Sequence, residues 1–279
     1  MPNNLRPVVR LLATVCLASV ALAGDADPRK RTLDAPAPPR PLSGALSEYG
    51  GLRVLELWGS PADAGYAHGY LLADDMVALF DEYILDERIL PNTATYEAML
   101  IPNVGRLYDW PEPAMIELRA MLRGVRDRLG EDACYSEKLG RTLRLEDLMV
   151  ANTMADWFGY LCSSFSAWGT LTTDGETLTA RNLDFPFTDS MIHAQIVMVR
   201  INPAGRHSWI GVTWPGLIGV YTGFSDAGIT MLMHDANGLP ASHSLGFTPR
   251  SLTTREALET AGPRSFLEDV AHVMRTRRV

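Results

Sequence analysis

A chain of 279 residues, 47% hydrophobic and 21% charged, is long enough for one large domain or two small ones and can bury a substantial core. Its formal net charge of −8 and sequence pI near 5.3 argue against a nucleic-acid partner, because neutralising phosphates needs a clustered basic face. The dense basic runs, Arg29-Lys30-Arg31 and Arg275-Thr276-Arg277-Arg278, lie near the chain ends and read as solvated charge.

Arg6 and Arg10 precede an apolar run over residues 11–23, and Ala21-Leu22-Ala23 forms an A-x-A site before Gly24. This is the pattern of a cleavable export signal over residues 1–23, so the mature chain is expected in the periplasm or outside the cell. The run is shorter than the roughly 20 residues that span a bilayer. No other segment is long and apolar enough, and no membrane span is expected. Residues 24–45 are rich in proline and poor in large apolar groups, which reads as an unstructured linker. Cys134 and Cys162 remain after the signal. In an oxidising compartment they form either a disulfide or, on the other reading, leave Cys162 as a working thiol.

Residues 52–58 alternate as a short strand. Ser60-Pro61-Ala62-Asp63 then opens a helix expected to run to about residue 88, with Ser60 as cap and proline in the first turn. Gly65 and Gly69 share one face of that helix and permit close approach of another backbone. His68, between them, reads as a hydrogen-bonded histidine in a helix interface, because no second metal ligand stands three or four residues away. Further helices are predicted over 113–129, stopped by Gly130, and 145–158, stopped by Gly159. The segment 46–161 is therefore mainly helical. Beyond Ser163 the pattern predicts strands over 164–172, 177–183, 193–201, 208–213, 217–221 and 229–233, separated by turn signals at 174–175, 202–205 and 215–216. Helices over 253–260 and 265–275 follow, and the fold class is α+β.

Asp174-Gly175 signals a two-residue hairpin turn. Pairing outward from it sets Cys162 opposite Phe187 and Arg181 on the face of Cys162. Asp184 has the wrong parity for that face, so the strand must bend or bulge before Pro186 if its carboxylate is to reach the thiol. A guanidinium beside a thiol favours the thiolate, the form that attacks a carbonyl. The hairpin lacks a base. Neither C-G-S-C-W nor G-x-S-x-G occurs, and His193, His207, His234 and His243 stand in no marking context. A cut between Leu161 and Cys162 would supply one: an α-amine with pKa roughly 7.7–8.0 on the residue that carries the thiol. Asp184 would then orient that amine.

The run C-S-S-F-S-A-W-G-T-L-T-T-D-G-E-T-L-T-A-R-N-L-D-F-P, residues 162–186, resembles the N-terminal-nucleophile amidohydrolases with a catalytic cysteine. Among these are the choloylglycine hydrolases, penicillin V acylases, isopenicillin-N acyltransferases, acid ceramidase and the N-acylethanolamine amidases. G-S-P-A-D-A-G-Y-A-H-G-Y-L-L at 59–72 and L-E-D-L-M-V-A-N at 145–152 look most like the acyltransferase group, whose precursors carry a helical segment before the nucleophile. The resemblance covers about residues 50–275. It implies a four-layer αββα sandwich, with Cys162 as nucleophile and autoprocessing site, Arg181 as the thiol-side arginine and Asp184 as the carboxylate near the α-amine. It implies no metal or organic cofactor.

Where the family has G-x-N-x-x-G, this chain reads Gly223-Phe224-Ser225-Asp226-Ala227-Gly228, with Ser225 for the usual asparagine. The family's oxyanion asparagine would fall at Asp235 or Asn237. Asn237 is preferred because an amide donates where a carboxylate cannot, although Asn237-Gly238 also reads as a simple turn. Family members continue past the helices that end near Val279, so a C-terminally truncated sandwich is expected, with residues 162–279 the first part of the catalytic domain. The expected activity is hydrolysis or acyl transfer on a small-molecule, non-peptide N-acyl amide. After cleavage the pro-segment would remain a partner, and homo-oligomerisation is left open. Trp168, Phe185, Phe187 and Trp214 would either line an acyl pocket or, as aromatic residues on strands more often do, pack as plain core. The alternatives are an inactive, truncated interaction module and an unprocessed amidase with a histidine base.

Overall fold

The computed structural model describes residues 38–87, 89–90, 92–157, 161–184, 188–234, 246–260 and 266–277. It divides into a larger unit, containing residues 38–163 and everything from 183 onward, and a smaller one whose described residues are 164–182.

The larger unit is a mixed α and β body. Its strands are β1 (Gly44–Tyr49), β2 (Leu52–Leu57), the short pair β3 (Tyr135–Ser136) and β4 (Arg141–Thr142), and, later in the chain, β7 (Ile196–Arg200), β8 (Trp209–Thr213), β9 (Thr222–Ser225) and β10 (Thr230–Leu232). Between them in the chain come β5 (Leu161–Ala167) and β6 (Leu178–Asp184), of which residues 164–167 and 178–182 fall in the smaller unit. The main sheet has the order β1-β2-β7-β8-β9-β10. Only β2 and β7 pair in parallel, Val54 beside Val197; the other named pairs are antiparallel. A strand from before Cys162 is thus hydrogen-bonded to one from after it.

The α-helices of four or more residues among the described residues are α1 (Pro61–Leu71), α2 (Ala73–Leu79), α3 (Val104–Leu107), α4 (Glu112–Leu129), α5 (Leu145–Trp157), α6 (Asp189–Ala194), α7 (Arg250–Thr260) and α8 (Phe266–Thr276). The capping box read from the sequence is present: Ser60 Oγ accepts the Asp63 amide at 3.2 Å, and the Asp63 carboxylate accepts the Ser60 amide at 3.3 Å. The glycine reading also holds. A Cβ on Gly65 or Gly69 would run into the backbone of Glu117 or Met121 on α4, and one on Gly124 into the backbone at Tyr66. At these three glycines the backbones of α1 and α4 leave no room for a Cβ.

Strand parity sorts the sheet's two faces. Leu55, Leu57, Ile196, Met198, Arg200, Trp209 and Ser225 are buried on one face, and a Cβ on Gly223, which shares it, would meet Leu258 of α7. The other face carries Val54, Val197, Val199, Ile210, Val212 and Phe224. A sheet apolar on both faces is a middle layer in character.

Several boundaries differ from the sequence reading. The presumed linker ends early, because β1 begins at Gly44 and folds onto β2 through Gly50 and Gly51, with φ of 59° and 80°. That Gly-Gly pair is a hairpin signal the reading did not use. The helix expected to reach residue 88 breaks at Leu72, where φ and ψ are −121° and 24°, and passes through a π-turn at Phe80–Ile84. The strand expected at 193–201 starts only at Ile196, since Thr188 caps a helix by accepting the Met191 amide. Residues 217–221 form a loop, not a strand; β9 begins at Thr222. Asp147, in the L-E-D-L run, is wholly buried and accepts from Tyr96, from both terminal nitrogens of Arg141 and from the Arg144 amide, which gives it a structural role.

In the smaller unit, β5 stops at Ala167 and β6 starts at Leu178, so the two-residue turn is corrected to a longer connection over 168–177. Asp174 accepts the Glu176 amide at 3.1 Å, Gly175 donates to Thr172 O at 3.4 Å, and the Thr172 hydroxyl holds Glu176 O at 2.8 Å. This local side-chain bonding outcompetes a tight hairpin. The expected register sets Ser166 opposite Leu183, whereas its hydroxyl meets that of Thr179 at 2.8 Å.

Gly69→Ala should lower stability by roughly 1–3 kcal/mol through overpacking. In contrast, Gly105→Ala, whose new methyl would find only Met149 Cε at 3.8 Å, should be neutral or stabilise by up to ~1 kcal/mol. Urea unfolding midpoints of the two variants check the contrast.

Candidate active site

Cys162 is the second residue of β5 and belongs to the larger unit. It forms no disulfide, and neither does Cys134, the other described cysteine. Cys134 is buried, its Sγ lies 3.4 Å from Gly130 O, and burial pushes its thiol pKa up. Cys162 is half-buried. It packs, with Leu217 and Met233, against a small apolar cluster of Ala155 and Tyr221.

Leu217 and Tyr221 also line an apolar cavity of about 50 Å³. Met76, Phe80 and Tyr83 contribute from α2 and the π-turn, Met154 from α5, Met191 from α6 and Trp214 from the loop before β9. Residues from both sides of Cys162 in sequence therefore build one chamber beside it. Three methionines make its walls adaptable, since their unbranched side chains change rotamer cheaply. The π-turn at Phe80–Ile84 lies in this wall, in keeping with the tendency of such turns to occur at working sites.

The loop that carries Trp214, Pro215, Gly216 and Leu217 is held by side chains rather than by a ladder. Gly216, at φ 87°, donates its amide to His68 Nε2 at 3.1 Å and accepts from Asn152 Nδ2 at 2.8 Å. The Ile218 amide donates to Asn152 Oδ1 at 2.9 Å, and Ile218 O accepts from Arg255 Nη1 at 2.9 Å. His68 and Asn152 are buried, at 0% and 1% exposure. Burial, with the Arg255 charge adding to it, pushes the His68 pKa down to about 3. A neutral ring that accepts at Nε2 carries its proton on Nδ1. His68 is thus hydrogen-bonded as the sequence suggested, but its partner is a loop glycine rather than a helix.

The remaining expected site residues fall in three places. Asp184 is exposed, at the last position of β6, and belongs to the larger unit. Arg181 is half-buried on β6 in the smaller unit. Residues 185–187, where the bend before Pro186 was expected, lie outside the described residues, as do Asp235, Asn237 and His243. Of the four expected pocket aromatics, Trp214 lines the cavity and donates from Nε1 to Met191 O at 2.8 Å, Trp168 is 62% exposed on the smaller unit, and Phe185 and Phe187 are not described. Ser225 is buried at the end of β9, and its hydroxyl has no hydrogen-bond partner among the described residues. His193 Nδ1 lies 2.6 Å from Asp189 O, and His207 pairs with Asp226 at 2.7 Å. Among the described residues no cluster of His, Cys, Asp or Glu is arranged to hold a metal, and no helix is long and apolar enough to cross a membrane.

The methionine lining and the clamp on Gly216 and Ile218 were not foreseen. The clamp's signal lay in the two quoted upstream runs, which contain His68 and Asn152.

No family model matches the chain. Among curated proteins it is similar to an uncharacterized protein of Archaeoglobus fulgidus, 24% identical over 235 residues, an alignment covering 78% of this chain and 38% of that protein. It is also similar to Protein dcd1A of Dictyostelium discoideum, 22% identical over 188 residues, covering 62% of this chain and 42% of that protein. The chain spans less than half the length of these relatives. Neither name states an activity.

The depressed His68 pKa carries a pH signature. The unfolded chain takes up this proton near pH 6.5 and the folded one near 3, so the stability present above pH 6.5 declines by about 1.4 kcal/mol per pH unit as pH falls through that window. Glu259, with its pKa held at about 2 by Arg255 against the upward push of burial, adds a second decline only below its ordinary 4.5. His68→Gln, which keeps an acceptor, should abolish the loss between pH 6.5 and 4.5 and leave the lower one. Urea midpoints measured across this range check it.

Proposed function

We propose that the protein is a cysteine N-terminal-nucleophile hydrolase or acyltransferase of linear, non-peptide amides, activated by cleavage between Leu161 and Cys162. The observation that carries this reading is the position of Cys162, at the head of a strand and packed on the Ala155–Tyr221 cluster, whose Tyr221 also lines an apolar chamber. A thiol beside an apolar chamber suits an acyl group delivered to a nucleophile. The sheet, apolar on both faces, supports the αββα sandwich as the architecture, with a further layer over Val197, Val199, Ile210 and Phe224.

In this mechanism the Cys162 thiolate attacks the amide carbonyl, and the new C–S bond gives a tetrahedral oxyanion. Its collapse breaks the C–N bond, and the leaving amine takes its proton from the Cys162 α-ammonium. Water or an acceptor amine then attacks the thioester, the α-amine removes its proton, and the C–S bond breaks to return the thiolate. Asp184 orients the amine, Arg181 favours the thiolate and Asn237 donates to the oxyanion. The chain's own residues supply each of these roles, so the reading assigns none to a cofactor.

Mass spectrometry of the purified protein should find a fragment that begins at Cys162. Cys162→Ala should remain a single chain and lose amide hydrolysis by about a thousandfold or more. An uncut wild type that hydrolyses amides through a histidine would replace this reading with the unprocessed-amidase one, and an uncut, inactive wild type would favour the interaction module.

A further inference from the structure

We infer that His68 and Asn152 are positioning residues: they hold Leu217, which lines the apolar chamber and packs on the same Ala155–Tyr221 cluster as Cys162, and so set the length of acyl group that the thiol meets. This rests on the reading of Cys162 as an acyl-accepting nucleophile.

Among the described residues the stretch around Leu217 joins no strand ladder. Its amide turns back to Trp214 O at 3.2 Å. The polar groups on either side, the amide and carbonyl of Gly216 and of Ile218, are taken up by side chains of His68, Asn152 and Arg255. Each of these side chains is buried. Remove one, and a buried peptide group loses its partner, which a loop relieves by moving. The movable part is the cavity wall itself, because Gly216 and Leu217 both line the chamber and Leu217 packs with Cys162 against Ala155 and Tyr221.

The residue types match the task. Asn152 must accept from one peptide and donate to another two residues away, which a short amide does and a carboxylate or hydroxyl does not. His68 must present a lone pair at Nε2, and its neutral state at ordinary pH provides one. Neither residue is among the cavity-lining residues; both act through the loop. A wall shift that admits or excludes one methylene changes selectivity by about tenfold or more.

The test treats the full chain with straight-chain N-alkyl iodoacetamides from ethyl to decyl and follows alkylation of Cys162 by peptide mass spectrometry. In the wild type the rate should depend on chain length with a defined optimum. His68→Leu and Asn152→Ala should change the long-to-short rate ratio by about tenfold. Leu217→Ala should reproduce that change, and His68→Gln, which restores an acceptor, should return the ratio to the wild-type value. Thermal melting identifies which variants are folded; should Asn152→Ala not fold, the His68 pair and Leu217→Ala decide. An unchanged length profile in folded His68→Leu overturns the inference, and so does a wild type with no length dependence. A length profile that responds as expected in a protein that neither processes at Cys162 nor hydrolyses amides supports the clamp and defeats only the functional reading beneath it.

Discussion

A guanidinium buried beneath a sheet has to be matched on every side, and Arg255 is the point at which the larger unit meets that demand. It pairs with Glu117 of α4 and Glu259 of its own helix, each at 2.8 Å, donates to Ile218 O and stands 5.7 Å from the centre of the Trp209 ring. Trp209 in turn donates from Nε1 to Glu259. Removing one partner from such a cluster costs about 3–5 kcal/mol, since a charge is left uncompensated. Burial pushes Glu117 up and the neighbouring arginines pull it back, so the cluster is finely matched rather than generously stable. The cluster ties α4, α7, the sheet and the loop before β9 to one side chain.

The chamber beside Cys162 follows from that arrangement. The close approach of α1 to α4, permitted by glycines, brings His68 under the loop, while α5 brings Asn152 alongside it. Arg255 takes the carbonyl of Ile218. Three elements distant in sequence thus converge on two peptide units, and the residue between them, Leu217, lines the apolar space and packs on the same cluster as Cys162. The site is built less by its strands than by the polar cores beneath it.

Much of this was legible in the sequence wherever the signal was local. Ser60 and Asp63 announced their capping box, Gly65 and Gly69 their close helix contact, and Gly130 the end of α4. What failed was non-local or depended on competition between local choices. Asp174-Gly175 named a turn correctly but could not say that Thr172 and Asp174 would bond their own backbone and lengthen it. Residues 217–221 have strand composition, yet Gly216 at positive φ and three distant side chains hold them as a loop. Periodicity cannot report a partner that is far along the chain. At the site, the sequence singled out Cys162 and Trp214 by type and context, whereas the roles of His68 and Asn152 became visible only once the fold had brought them to Gly216.

The pairing of β2 with β7 has a consequence for the order of events during folding. Val54 finds its neighbour in Val197, across nearly the whole of the intervening chain. Such a contact is slow to form, because a long loop must close before the ladder rewards it. The chain before position 162 therefore has no finished sheet of its own while it emerges from the ribosome. Any reaction at the Leu161–Cys162 bond that requires a formed site must wait for residues near 200 to be synthesised and docked. On the proposed reading, the Leu161–Cys162 peptide bond is made well before the sheet beside it can be complete.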